Sequence, residues 1–101
     1  MRAQAITRTQ TGVRLEANTL KVLKALAALK GITLGDLMEG IVLHAFDGEP
    51  AFSASTLAQI ADLKRVYGLE LTAADAHKLV EVERQAPRVE PPKERIPGAG
   101  R

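Results

Sequence analysis

The feature that most constrains this chain is a short alternating segment, residues 9–15, that precedes two segments with helical periodicity. Within it, Thr11, Val13 and Leu15 alternate with Gln10, Gly12 and Arg14. Alternation with a period of two predicts a β-strand with one apolar face. A single strand leaves its backbone N–H and C=O groups unpaired, and the rest of the chain offers no second convincing strand. We therefore predict that the same segment of a second copy pairs with it, which gives an antiparallel two-stranded ribbon.

The size of the chain also favours self-association. Its 101 residues have room for one small domain, and 46% hydrophobic with only 3% aromatic residues indicates an aliphatic helical core. The strand and the first two helices span only residues 9–47, close to the size at which a domain needs disulfides, a metal or oligomerisation. Cysteine is absent. Because the sequence also lacks an apolar run of 18 residues and an apolar N-terminal stretch, we expect a homodimer in the cytoplasm that does not contact the membrane.

Two amphipathic helices follow the strand, separated by a glycine turn. Leu20, Leu23, Leu26 and Ala27 recur at helical spacing, and Gly31 is well placed to end the first helix in a left-handed conformation. Thr33 and Asp36 predict a capping box at the start of the second helix, which ends near residues 47–48. The predicted buried stripe of the second helix consists of Leu37, Met38, Ile41, Val42, Ala45 and Phe46.

Residues 53–85 predict two additional C-terminal helices. Ser53 or Ser55 can cap one that runs to Tyr67 and ends at Gly68, and a capping box at residues 72–75 opens the second, which continues through residue 82. The proline-rich and charged residues 86–101 predict a disordered tail, and residues 1–8 predict a flexible arm. The expected fold class is therefore mainly α with one short N-terminal strand.

The charge is distributed unevenly along the chain. Residues 1–31 contain six basic side chains and one acidic side chain, whereas the remainder contains eight basic and eleven acidic ones. A basic N-terminal region suits a face that binds DNA phosphates, because neutralising them releases condensed counterions. A solvated surface of moderate charge is the alternative interpretation.

The order of strand, helix, glycine turn and helix resembles the ribbon-helix-helix family of dimeric DNA-binding proteins, which includes plasmid repressors and antitoxins. The resemblance covers about two fifths of the chain. It implies that the ribbon enters the major groove of double-stranded DNA and that the outward positions Gln10, Gly12 and Arg14 read base edges. Gln pairs well with adenine and Arg with guanine. Gly12 is a departure from the family, because it offers no side chain and can instead mark a bulge.

The resemblance also implies a phosphate site at the start of the second helix, which corresponds to Thr33, Leu34 and Gly35. The free N–H groups and the positive end of the helix dipole support an anion there, although a Thr cap is first a structural device. Arg8 and Lys21 are further candidates for phosphate contacts.

The sequence gives little support to catalysis, a cofactor or a metal. His44 and His77 are the only histidines, and His44 with Asp47 makes an incomplete ligand set. The chain has no Gly-rich phosphate loop and no Cys nucleophile. We therefore expect that it is not an enzyme.

Two classes of function remain. The first is a transcriptional regulator, such as a repressor, that binds specific DNA sequences as a homodimer through residues 9–15 and the two following helices. The second is a protein-interaction module or antitoxin in which residues 53–101 bind a partner protein. In either case the C-terminal helices need cover, on the dimer core or across the twofold axis.

Overall fold

The computed structural model describes residues 3–82, which contain three α-helices and one short 3-10 helix. Helix α1 comprises Ala17–Lys30, α2 Leu34–Phe46 and α3 Ala54–Tyr67, and the 3-10 helix comprises Ala73–Asp75. The chain divides into two compact units, of which the first ends at Glu70 and the second begins at Leu71. Among the described residues, no helix is both long and apolar enough to cross a membrane.

Short-range hydrogen bonds fix the ends of the three helices. Gly31 and Gly68 end α1 and α3 with φ values of 71° and 68°, a left-handed conformation in which a residue with a Cβ is strained. The hydroxyl of Thr33 accepts from the Asp36 N–H at the start of α2, and Ser53 accepts from the Thr56 N–H at the start of α3. The predicted positions of these caps and glycine stops are confirmed.

The core of the first unit is small and forms where α1 contacts α2 and α3. Leu26 and Ala27 of α1 and Leu37 of α2 are buried together. The half-buried side chains packed around them are Leu23, Ile41, Phe52, Ile60 and Leu63. At the edge of this core, the Lys30 ammonium donates to the buried hydroxyl of Thr56 at 2.6 Å, which links the end of α1 to the start of α3.

The predicted N-terminal strand is wrong. Residues 9–15 are irregular and exposed, and residues 3–82 contain no β-strand. A strand exists only through hydrogen bonds to a neighbouring strand, and no backbone hydrogen bond joins residues 9–15 to another segment of the described chain. Without a strand there is no ribbon, so the ribbon-helix-helix fold class is also wrong. The observed architecture is a small bundle of three helices preceded by an irregular segment.

The second of the two predicted C-terminal helices is also wrong. Thr72 and Asp75 do form the predicted capping box, but it opens only the 3-10 helix Ala73–Asp75. Residues 76–82 are not helical, and their large apolar side chains Leu79, Val80 and Val82 are exposed. A helix initiates at a cost that packing must offset, and exposed side chains contribute no packing. The predicted tail, residues 86–101, lies outside the described residues.

The predicted buried stripe of α2 is confirmed only in part. Leu37 is buried, and Met38 and Ile41 are half-buried. Val42, Ala45 and Phe46 are exposed instead, because α1 covers only one side of α2.

Candidate nucleic-acid interface

The irregular segment before α1 carries the three residues predicted to read bases. Gln10, Gly12 and Arg14 are all exposed in this segment. Gly12 has no positive φ, and an added Cβ would meet nothing within 4 Å. Neither backbone conformation nor a close neighbour therefore requires glycine at position 12.

Arg8 is held by an acidic side chain of α2. Its Nε donates to Glu39 Oε2 at 3.0 Å, and its Nη2 donates to Glu39 Oε1 at 2.8 Å. This hydrogen-bonded pair lowers the pKa of Glu39 and raises the pKa of Arg8. The predicted phosphate contact at Arg8 thus already has an intramolecular carboxylate partner, and sequence reasoning missed it because the two residues are 31 positions apart.

Helix α1 presents further basic side chains. Lys21 and Lys24 are exposed one turn apart, outside the stripe of Val22 and Leu26 that faces the core. Residues three apart on a helix are neighbours, so the two ammonium groups share a face. Lys30, in contrast, donates to Thr56. Lys21, a predicted phosphate contact, is therefore exposed on this face.

Glu16 caps the start of α1 and places the only acidic side chain of the first 31 residues there. Its carboxylate accepts from the N–H groups of Asn18 and Thr19 at 3.0 and 2.7 Å, and from the Thr19 hydroxyl at 2.7 Å. These hydrogen bonds, from Asn18 foremost, lower the pKa of Glu16. The negative charge therefore interacts with the first turn of α1, at the positive end of the helix dipole. The sequence signal for this cap is weak, because Glu is not among the preferred N-cap residues.

The predicted phosphate site lies at the start of α2. Thr33 is the N-cap, with Leu34 half-buried and Gly35 exposed in the first turn. The first N–H groups of a helix have no intrahelical acceptor, and they point along the axis where an anion is stabilised. The Thr33 hydroxyl is already engaged with the Asp36 N–H at 3.0 Å. Any anion at this position would therefore be held by backbone groups rather than by that hydroxyl.

His44, considered above as a metal ligand, contacts the backbone of its own helix. Its Nδ1 lies 2.7 Å from the carbonyl oxygen of Gly40, one turn earlier in α2. Within residues 3–82, no group of three or more His, Cys, Asp or Glu side chains is placed to hold a metal ion.

Comparison with other proteins adds no family to these observations. No protein-family model, curated protein or solved structure matches the chain significantly.

Proposed function

We propose that this protein is a DNA-binding transcriptional regulator that acts as a homodimer. The observation that carries the proposal is the basic N-terminal region: six basic side chains against one acidic one in residues 1–31, with Lys21 and Lys24 exposed on one face of α1. Exposed ammonium and guanidinium groups contribute the sequence-independent part of DNA affinity. The proposal does not include a β-ribbon, because residues 9–15 form no strand.

The irregular segment supports a role in reading bases. Gln10 and Arg14 are both exposed, each two positions from Gly12, and they carry an amide and a guanidinium. Gln to adenine and Arg to guanine are the pairings that such side chains make in the major groove. Lys21 and the first turn of α2, with Thr33, Leu34 and Gly35, are the proposed phosphate contacts.

The apolar side chains left uncovered on α2 support the homodimer. Val42, Leu43 and Phe46 are 42%, 62% and 80% exposed. Among residues 3–70 only four hydrophobic residues are buried, which is little for a domain of this size to be stable by itself. A second copy of the chain would cover the exposed apolar side chains of α2 and would enlarge the small core. Because a transcriptional regulator must reach its DNA, the proposal includes a cytoplasmic location.

A duplex library tests the proposed function. Arg14→Ala and Gln10→Ala should change which sequences are selected, with a loss of about 1–3 kcal/mol of discrimination at the contacted base. Lys21→Ala should instead weaken binding to all duplexes and reduce the salt slope by about 1. Selection of no preferred duplex at moderate salt by the wild-type protein would exclude a sequence-specific regulator.

The C-terminal part of the chain favours a second candidate function, that of a protein-interaction module or antitoxin. Leu79, Val80 and Val82 are 54%, 89% and 77% exposed in a non-helical segment. Exposed apolar side chains on an irregular segment suit docking to a partner protein. This candidate predicts a stoichiometric partner that copurifies with the full chain and is lost with Val80→Ser and Val82→Ser. Copurification that survives both substitutions would exclude this segment as the docking element.

A further inference from the structure

The ion pair between Arg8 and Glu39 joins the basic N-terminal segment to α2. The guanidinium and the carboxylate face each other through two parallel N–H···O bonds of 3.0 and 2.8 Å. Within residues 3–82, this pair is a long-range contact between the segment before α1 and the outer surface of α2. One arginine of the basic N-terminal region is therefore paired with a carboxylate of the same chain.

A phosphate group presents the same fork of two oxygens as a carboxylate, and arginine binds both in the same bidentate geometry. Glu39 therefore occupies one bidentate edge of the guanidinium, the edge formed by Nε and Nη2, which a phosphate could also use. The two side chains are 65% and 45% exposed, so water reaches the pair and its stabilisation is small. A phosphate can displace a carboxylate that is held so weakly.

We propose that Glu39 is an intramolecular competitor for Arg8, and that it sets the affinity of the basic N-terminal region for DNA phosphates. In the free protein Arg8 donates to Glu39. In the complex it donates to a phosphate oxygen, and the Glu39 carboxylate returns to water. This inference rests on the proposed DNA binding and deepens it, because it names a residue that lowers affinity rather than one that supplies it.

The neighbouring acidic residue offers a matched control. Asp36 lies three positions earlier on α2, and its charge acts on Arg8 more weakly than that of Glu39. It makes no hydrogen bond to Arg8 among the described residues. Asp36→Asn therefore removes one negative charge from the same helix without releasing the guanidinium.

The test measures binding of a labelled random-sequence duplex to the full chain at about 50 mM salt, where surface electrostatics are weakly screened. Glu39→Gln should bind roughly three to ten times more tightly than wild type, since the competing pair and a like charge are both removed. Adding Arg8→Gln to Glu39→Gln should abolish this gain. Any gain from Asp36→Asn should persist when Arg8→Gln is added. Circular dichroism should show equal helicity in all variants.

Three results would overturn the inference. Equal affinity of wild type and Glu39→Gln would show that the carboxylate does not compete. An equal gain from Glu39→Gln with and without Arg8→Gln would show that its charge acts generally rather than through Arg8. Absence of duplex binding by both wild type and Glu39→Gln would remove the proposed function and this inference together, whereas the first two results leave DNA binding intact.

Discussion

The two halves of α2 carry similar apolar side chains in very different surroundings. In the first half, Leu37 is buried and Ile41 is half-buried against the core around Leu26. In the second half, Leu43 and Phe46 are 62% and 80% exposed. Because apolar residues lie on opposite sides of the helix, α2 needs cover on more than one side. Helix α1 supplies it on one side only, so the first half of α2 contributes to the core and the second half leaves apolar side chains exposed.

The largest expected effect is a loss of stability on substitution in the core that the first half of α2 packs against. Leu26 is 1% exposed, and Leu26→Ala should lower the free energy of unfolding by about 2–5 kcal/mol, through lost burial and the cavity that remains. Chemical denaturation measures it. The control is Leu29→Ala on the same helix, where the side chain is 56% exposed and the loss should stay below about 1 kcal/mol. Similar losses for Leu26→Ala and Leu29→Ala would mean that the difference in burial does not determine their contributions to stability.

The next effect concerns the uncovered half of α2. Phe46→Ser should raise the dimer dissociation constant at least about tenfold, since burying a phenylalanine contributes roughly 1.5–3 kcal/mol. Sedimentation over a range of protein concentrations measures this constant. Val66→Ser on α3 is the matched control, because Val66 is 72% exposed and lies outside the proposed dimer surface. If both variants dimerise like wild type, or if the wild type is monomeric, the exposed half of α2 is not a self-association surface.

The same contrast explains which parts of the fold the sequence could predict. Gly31, Thr33, Ser53 and Gly68 were predictable because each cap or stop depends on hydrogen bonds to residues a few positions away. The pattern of α2 predicted which side chains are apolar but not which of them α1 would cover. Periodicity shows which side chains would gain from burial. The packing of the helices decides which of them are buried.

Errors arose where the prediction depended on distant partners. Alternation in residues 9–15 predicted a strand, yet pairing requires a second segment, which the described chain does not provide. The capping box at Thr72 formed as predicted, but a cap does not by itself extend a helix whose apolar side chains remain exposed. At the candidate site, the exposure of Lys21 was predictable from the periodicity of α1. The pairing of Arg8 with Glu39 was not, because no local rule connects residues so far apart.

A smaller loss of stability is expected at the edge of the core, where α1 contacts α3. Thr56 is 5% exposed and accepts from Lys30, so the isosteric change Thr56→Val should cost about 1 kcal/mol of unfolding free energy. The cost stays modest because water can solvate the exposed Lys30 ammonium. A double-mutant cycle with Lys30→Met isolates the bond, and additive losses would show that the 2.6 Å contact contributes nothing to stability.

The smallest effect tests whether α1 is stabilised at its own end, independently of either half of α2. The pKa of Glu16 is lowered from its usual value of 4.5 by hydrogen bonds from Asn18 and Thr19. A carboxylate whose pKa is lower in the folded state contributes stability that is present above the unfolded pKa and is lost as pH falls through the folded pKa. Glu16→Gln should therefore cost about 0.3–1 kcal/mol of unfolding free energy at pH 7, and this difference should shrink below about pH 4.5.

Denaturation midpoints measured from neutral to acidic pH test this prediction, with Glu49→Gln as a control for net charge outside the helices. A difference between wild type and Glu16→Gln that stays constant with pH would mean that the negative charge of Glu16 does not stabilise α1.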